Sequence, residues 1–404
     1  MQIRVAEKEV LTESQIEGIT IEPQTISGAL VFDTAGKVVS YPSEWLSTLT
    51  ELQALSFKSA VTYARNISYF IEFLSDRQEN YGLTPDEMLL QVSLTVIEDW
   101  VIREQESGLD RSTTRSREGC LRSFYDFLCK DRYRDAVLKR SPFPGKYISA
   151  KPNLKQVVSA SLTELVTVMN ECQYERERLL LQFMYDSGVR ISEVGRVTYG
   201  DIQEAINFTN SGFISSENVD APVLPGYAPI LIRGSKGRGN SIKERFAIIT
   251  TATLKRISAY HSKPIYKRYQ AKYQNRHNSP AFLNTEGNPY NEASLAKMIE
   301  RRSKSALRKN LISKQVHAHL FRHGSAYLTL QDPNLGDDFL ERLVNVKKTF
   351  GHAFISTTER YTSIPHDIYD SIADSSMGGL KAKIDKMEEV IERTKLRIKP
   401  GDKK

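Results

Sequence analysis

The chain has 404 residues, a net charge of +7 and three cysteines, Cys120, Cys129 and Cys172. This length allows about two or three domains, and 40% hydrophobic with 26% charged residues is ordinary for a globular protein. No apolar run approaches the ~20 residues of a membrane-spanning helix, and the N-terminus is too polar to predict a secretory signal. The cysteines form no C-x-x-C pair, so neither a disulfide framework nor a zinc site is indicated. We therefore expect a cytoplasmic protein with no membrane partner.

The first 40 residues are rich in β-branched residues and turn signals. Gly28–Val39 predicts two short strands around a turn at Asp33–Gly36. We expect residues 1–40 to form a β-rich extension or arm, and the sequence leaves open whether it is an accessory sheet or only a tether.

Helical periodicity replaces this pattern from residue 41 onwards. Apolar residues recur at intervals of three and four through residues 57–74, and further helices are predicted over 95–106 and from Ser112. We therefore expect residues 41–140 to form a helical domain. The segment 141–158 is punctuated by proline and glycine and predicts an interdomain linker.

Residues 159–375 mix helices with one pair of strands. A capping box at Ser161–Glu164 opens a predicted helix, and a second predicted helix ends at Gly188. Two predicted strands, 228–233 and 244–249, flank a glycine-rich hairpin, and helical patterns resume after them. The sequence therefore predicts a mainly α protein with a small β-sheet, an α+β fold.

Three groups of residues in this region suggest chemistry. Arg190 lies in the sequence Asp-Ser-Gly-Val-Arg-Ile-Ser-Glu, and His319 and Arg322 are three residues apart, which places them on one face of a helix. His352, directly after Gly351, precedes Tyr361 by nine residues. Taken singly, each residue type is more often structural or solvent-exposed. The functional interpretation depends on their order and spacing as a set.

This ordered set resembles the tyrosine recombinase family, also called the phage integrases. The Arg190 sequence is similar to the first-arginine motif of the family almost residue for residue. The chain departs from the family pattern at Phe350, where leucine is usual, and in a longer interval between Arg322 and Gly351. Residues 41–140 are similar to the core-binding domain of the family. The resemblance implies a helical core-binding DNA domain followed by a tyrosine-recombinase catalytic domain, here residues 159–375.

The residue types fit the chemistry that the resemblance implies. Two permanently charged guanidinium groups can neutralise a phosphodiester in its transition state, and a tyrosine can attack phosphorus when a base accepts its proton. The family also uses a lysine on the β-hairpin to protonate the leaving 5′ oxygen. We assign that role to Lys236, with Lys243 as the alternative. The implied catalytic set is Arg190, Lys236, His319, Arg322, His352 and Tyr361, with Glu193 orienting it.

The basic runs of the sequence point to DNA as the partner. They cover residues 111–122, 130–140, 233–245 and 263–276. The resemblance further implies double-stranded recombination sites, a 3′-phosphotyrosine intermediate, a Holliday junction and a homotetramer, with no metal and no cofactor. The predicted DNA contacts are Arg115, Arg117, Arg122 and Arg238.

Three other functions compete with this interpretation. A metal-dependent nuclease built on His317 and His319 would need a cluster of acidic residues, which the sequence does not place beside them. A type IB topoisomerase-like enzyme would use the same chemistry without exchanging strands between sites. A DNA-binding protein with a degenerate site is disfavoured, because every residue of the catalytic set is present.

Residues 376–404 form a separate C-terminal helical tail. Five apolar residues and one threonine are spaced alternately at four and three, a heptad-like seam: Leu380, Ile384, Met387, Ile391, Thr394 and Ile398. Gly378 and Gly379 precede this seam and can act as a hinge. We expect the tail helix to dock on a neighbouring subunit, with packing on its own domain as the alternative.

Overall fold

The computed structural model describes residues 1–11, 14–16, 19–21, 24–130, 135–152, 157–211, 226–236, 242–351 and 381–396. At some element ends within these ranges, only the backbone is described. Contacts divide the described residues into two units, one ending at Pro152 and one beginning at Val157. None of the described helices is long and apolar enough to cross a membrane.

The first unit begins with a β-ribbon. Its strands are β1 (Gln2–Leu11), β2 (Ser14–Ile16), β3 (Ile19–Ile21) and β4 (Gln24–Phe32). β1 pairs antiparallel with β4, and β2 pairs antiparallel with β3. The turn predicted at Asp33–Gly36 is confirmed, but the second strand predicted after it is reduced to a single bridge between Phe32 and Val38. β4 pairs with β1 instead, and its Ala29 and Val31 are fully buried in the core of this unit.

Five α-helices follow in the described residues of the first unit. They are α1 (Ser40–Glu51), α2 (Phe57–Ser75), α3 (Pro85–Leu90), α4 (Leu94–Glu106) and α5 (Arg111–Leu128). The side chains of Ser56 and Asp110 cap the two longest helices by accepting backbone N–H groups. The apolar face predicted for residues 57–74 is confirmed, because α2 buries it in a core that also contains Trp45 and Trp100.

The segment after α5 is held on that helix by one buried carboxylate. Glu118 accepts hydrogen bonds from the backbone N–H groups of Ile148 and Ser149, each at 2.8 Å. It also pairs with Arg122 at 2.8 Å, and Arg122 donates to backbone carbonyls of the same segment. Arg115 donates to the carbonyl of Ser149 at 2.8 Å. The predicted linker is therefore fastened to the first unit as far as Ser149.

The second unit is built around one buried helix. Its elements up to residue 351 are α6 (Leu162–Asn170), α7 (Glu175–Ser187), α8 (Ile191–Val194), α9 (Tyr199–Ser211), β5 (Tyr227–Lys236), β6 (Ile242–Thr250), α10 (Thr251–His261), α11 (Pro264–Gln270), α12 (Glu292–Arg308), α13 (Ala318–Leu330) and α14 (Phe339–Phe350). Every residue of α7 from Glu177 to Ser187 is buried. The predicted capping box at Ser161 is confirmed, and α7 ends as predicted at Gly188, whose φ is 61°.

The predicted pair of strands is confirmed as an antiparallel hairpin. β5 and β6 pair from Tyr227 opposite Thr250 to Lys236 opposite Ile242. The register shifts between Ile232 and Ser235, which is a β-bulge near the end of the hairpin that carries Lys236. The loop predicted over residues 212–226 lies outside the described residues, apart from Gly226.

The described part of the tail is a helix, α15 (Lys383–Thr394), as the seam predicted. Its Met387 and Val390 are buried in the same hydrophobic core as α6, α7 and α10. The helix therefore packs on its own domain, which was the alternative to docking on a neighbouring subunit.

Candidate active site

A buried carboxylate between two arginines lies at the centre of the site. Glu193, on α8, is fully buried, and its Oε1 lies 3.1 Å from Nη1 of Arg190. Its Oε2 accepts the backbone N–H of Arg190 at 2.8 Å and Nη2 of Arg245 at 2.6 Å. The Arg190 side chain keeps 32% of its surface exposed. The carboxylate therefore fixes both the backbone and the guanidinium of Arg190 and leaves the guanidinium accessible.

Arg245, on β6, extends this contact to the end of α14. It donates from Nη1 to the backbone carbonyl of Thr349 and packs against Gly351. Gly351 has a φ of 62°, and a Cβ there would lie 2.6 Å from Cδ of Arg245. Both the left-handed backbone and the close approach require glycine. Arg245 therefore joins the Arg190 turn to the residues immediately before His352.

Arg322, on α13, is 3% exposed and connects the same two turns. Its Nη1 donates to the carbonyl of Gly188, and its Nη2 donates to the carbonyl of Phe350 at 2.8 Å. Its guanidinium carbon lies 4.2 Å from the centroid of the Phe350 ring, a cation–π contact. A Cβ on Gly188 would lie 2.3 Å from that ring. The phenylalanine that departs from the family pattern therefore supports Arg322 directly.

His319 lies one turn before Arg322 on α13, as their spacing predicted. Its ring meets the ring of His323 edge-on, with 4.3 Å between centroids. Desolvation, and then the positive charges of Arg322, His317 and Arg190, lower the pKa of His319 below its usual 6.5, although the residue stays exposed to solvent. A neutral imidazole beside two arginines can accept a proton at neutral pH.

The hairpin that carries Lys236 is fixed at its base. Arg233 pairs with the buried carboxylate of Asp201. Arg196 donates from Nη1 to the carbonyl of Gly234 at 3.1 Å, and a Cβ on Gly234 would lie 1.6 Å from that nitrogen. Glycine is therefore required at position 234, because the Arg196 side chain lies directly against the backbone there. Lys236 is the last residue of β5, and its side chain lies outside the described part.

The structure brings Arg190, Glu193, His319 and Arg322 together. His352, Tyr361 and Arg238 lie outside the described residues, and so does the side chain of Lys243. Their roles stay predictions.

The three arginines of α5 that were predicted to contact DNA are engaged within the chain. Arg117 pairs with Glu104 at 2.7 Å and lies over the ring of Tyr69. Arg115 and Arg122 hold the linker segment against α5. These contacts account for all three side chains without DNA, so a DNA contact by any of them stays a prediction.

Arg245 is the residue of the site that the sequence did not single out. In the sequence it is only one member of the basic run 233–245. The run resembles a solvated face, whereas Arg245 is 8% exposed and paired with Glu193. Its position on β6, opposite Ile232 at the last pair before the bulge, could be known only once the strand register was known.

Family models match most of both units. Residues 155–366 match the model described as the phage integrase family, which is more than half of the chain. The chain belongs to this family, the tyrosine recombinases. Residues 43–132 of this recombinase match the model of a phage integrase N-terminal SAM-like domain, in the predicted helical region.

Two XerC recombinases are similar in sequence to this chain over most of their own length. The tyrosine recombinase XerC of Listeria welshimeri is 23% identical over 329 residues, covering 80% of this chain and 92% of that protein. XerC of Bacillus pumilus is 25% identical over 315 residues, covering 76% and 85%.

Solved structures share the fold at lower identity. The XerH site-specific recombinase, in a post-cleavage complex with its palindromic difH substrate, gives a TM-score of 0.53 at 18% identity and 80% coverage of each chain. The Tn1549 transposon integrase, in complex with transposon right end DNA, gives 0.52 at 15% identity, covering 83% of this chain and 98% of that one. The mainly α fold predicted from the sequence is confirmed.

The lowered pKa of His319 can be measured directly. In an NMR titration of the seven histidines, identified by loss of one resonance in His319→Gln, His319 should titrate below 6.5. His317→Gln removes one neighbouring positive charge and should move the titration upward, towards 6.5. A pKa of His319 above 6.5 would show that a negative charge outweighs desolvation and the neighbouring positive charges.

Proposed function

We propose that this tyrosine recombinase cleaves and rejoins DNA at specific sites through a 3′-phosphotyrosine intermediate. The observation that carries the proposal is the convergence of Arg190, His319 and Arg322 at the turn that follows α7. Arg322 bonds to the carbonyl of Gly188 in this turn. Desolvation, followed by the charges of Arg322, His317 and Arg190, lowers the pKa of His319. The arrangement places two permanent positive charges beside one neutral base.

This set suits attack on a phosphodiester. Tyr361 forms a bond from its phenolic oxygen to phosphorus, and the bond from phosphorus to the 5′ oxygen breaks. His319 accepts the proton of the phenol, whose ordinary pKa is about 10. Arg190 and Arg322 stabilise the negative charge that develops on the non-bridging oxygens. One phosphodiester is exchanged for another, so the step needs no external source of energy.

The leaving 5′ oxygen needs a proton, and we assign its donation to Lys236. Arg196 and Arg233 fix the base of its hairpin, so the end of the strand that carries Lys236 is held by two contacts. Lys243, on the returning strand, is the alternative. Arg238 follows Lys236 by two residues in the sequence. We propose that it contacts the DNA backbone, since arginine suits phosphate recognition. His352 would bond the phosphate or support Tyr361.

Strand exchange is the reverse of the cleavage step, with the 5′ hydroxyl of another site in place of the original one. A free 5′ hydroxyl from a second site attacks the phosphotyrosine, which rejoins the DNA and releases Tyr361. Two duplexes contain four strands to be cut, so we propose a homotetramer that acts through a Holliday junction. The net charge of +7 and the DNA named in the complexes of the similar XerH and Tn1549 integrase structures support double-stranded DNA as the partner.

Replacing the nucleophile tests this proposal. Tyr361→Phe should bind site DNA with wild-type affinity, because only one hydroxyl is removed, and should form no covalent adduct on a nicked suicide substrate. Tyr369→Phe is the matched control and should form the adduct at the wild-type rate. The adduct is measured by denaturing gel electrophoresis of labelled DNA. An adduct that persists in Tyr361→Phe, or that maps to Tyr369, would contradict the assignment.

A modified substrate separates the two candidate lysines. Sulfur at the bridging 5′ position makes a leaving group that needs little protonation, so it should restore cleavage by a variant that lacks the general acid. We expect rescue of Lys236→Ala, measured as adduct formation on matched oxygen and sulfur substrates. Rescue of Lys243→Ala, with Lys236→Ala unrescued, would place the general acid on the returning strand.

A further inference from the structure

Lys383, the first residue of α15, reaches the turn that leads to Arg190. Its Nζ lies 2.5 Å from the backbone carbonyl oxygen of Asp186 and 3.2 Å from Oδ1 of the same residue. The side chain of Lys383 is 1% exposed and that of Asp186 is fully buried. The tail therefore contributes a buried positive charge to the end of α7.

Asp186 lies four residues before Arg190 and organises the start of this turn. Its Oδ2 accepts the backbone N–H of Thr250 at 3.0 Å and the Thr250 hydroxyl at 2.7 Å. Its backbone carbonyl also accepts the hydroxyl of Ser325 at 3.2 Å. Within the described residues, Lys383 is the basic residue that forms an ion pair with the Asp186 carboxylate. The turn is therefore held from β6, from α13 and from the tail.

The tail helix is itself fixed at both ends, so Lys383 has a defined position. The backbone N–H of Lys383 donates to the buried carboxylate of Asp332 at 3.1 Å. At the other end, the carbonyl of Thr394 accepts Nη1 of Arg178 at 2.7 Å and Nη2 of Arg256 at 3.5 Å. A lysine held in this way can transmit the position of α15 to the turn.

We propose that Lys383 is a positioning residue for Arg190, so that DNA cleavage requires the contact between the tail helix and the turn after α7. This inference rests on the proposed function. Arg190 acts on the non-bridging oxygens of the scissile phosphate, and Lys383 acts only through the turn that carries Arg190. Displacement of a charge-stabilising group by about 1 Å can reduce a rate by about 100-fold.

The simplest variant, Lys383→Met, leaves the Asp186 carboxylate buried without a counter-charge and can fail to fold. The double variant Lys383→Met/Asp186→Asn removes both charges and keeps an acceptor for Thr250. A residue that only stabilises the fold would recover both stability and cleavage in this double variant. A positioning residue would recover stability alone, because the bond to the Asp186 carbonyl stays broken.

The test measures melting temperature, DNA affinity and the rate of adduct formation for the full-length protein on a suicide substrate. We expect the double variant to melt and bind DNA like the wild type, and to form the adduct about tenfold or more slowly. The matched control is Lys386→Met, three residues along α15, whose Nζ bonds Oε1 of Gln331 rather than the turn. It should keep the wild-type rate.

A second substrate separates positioning from loss of fold. A methylphosphonate at the cleavage site lacks the charge that Arg190 neutralises, so the deficit of the double variant should shrink on it. Cleavage at the wild-type rate, an equal deficit on both linkages, or a deficit accompanied by lost DNA binding would each overturn the role of Lys383. A wild-type protein that forms no adduct on the phosphate substrate would instead reject the proposed function itself.

Discussion

Glu193 holds Arg190 and Arg245 from one fully buried carboxylate, and the geometry of the site depends on that contact. Burial lowers the pKa of Arg245, and the negative charge of Glu193 opposes that shift. Without the carboxylate, the buried guanidinium of Arg245 would face the partly exposed guanidinium of Arg190 with no negative charge between them. Desolvation offsets much of the attraction in buried ion pairs, so the contact contributes more to position than to overall stability.

Further contacts from arginine to backbone carbonyls extend this centre. Arg245 bonds to Glu193 and Thr349, and Arg322 bonds to Gly188 and Phe350, so the segment from Gly188 to Glu193 and the end of α14 are joined twice. The planar guanidinium suits this task, because it donates in several fixed directions and stays charged. Gly188 and Gly351 allow the close approach. Residues that we propose to support catalysis therefore also set the distance between two helix ends.

Local signals made much of the helical fold predictable. The capping box at Ser161 and the left-handed Gly188 depend on residues within one turn of each other, and the structure has both. The order and spacing of Arg190, His319 and Arg322 were likewise sufficient to predict three side chains that the structure brings together. Helix caps and helical faces can be predicted because they involve neighbours in sequence.

Contacts between distant segments could not be predicted in the same way. The pairing of β4 with β1, rather than with the segment after Asp33, depends on a partner more than twenty residues away. The roles of Arg245 and Lys383 depend on the buried carboxylates that they meet, and basic residues look alike in sequence. Arg122 had one local signal, since Glu118 precedes it by one helical turn, as in an i,i+4 ion pair.

The most direct measurement of the central claim is the cleavage rate of Glu193→Gln. Glutamine keeps the shape and one acceptor but removes the charge shared by Arg190 and Arg245. Removing a negative charge does not oppose DNA binding, so affinity for site DNA should be retained. Adduct formation on a suicide substrate should fall on the order of tenfold to a hundredfold, since Arg190 loses its fixed position. A Glu193→Gln protein that binds and cleaves at the wild-type rate would contradict the central role of this carboxylate.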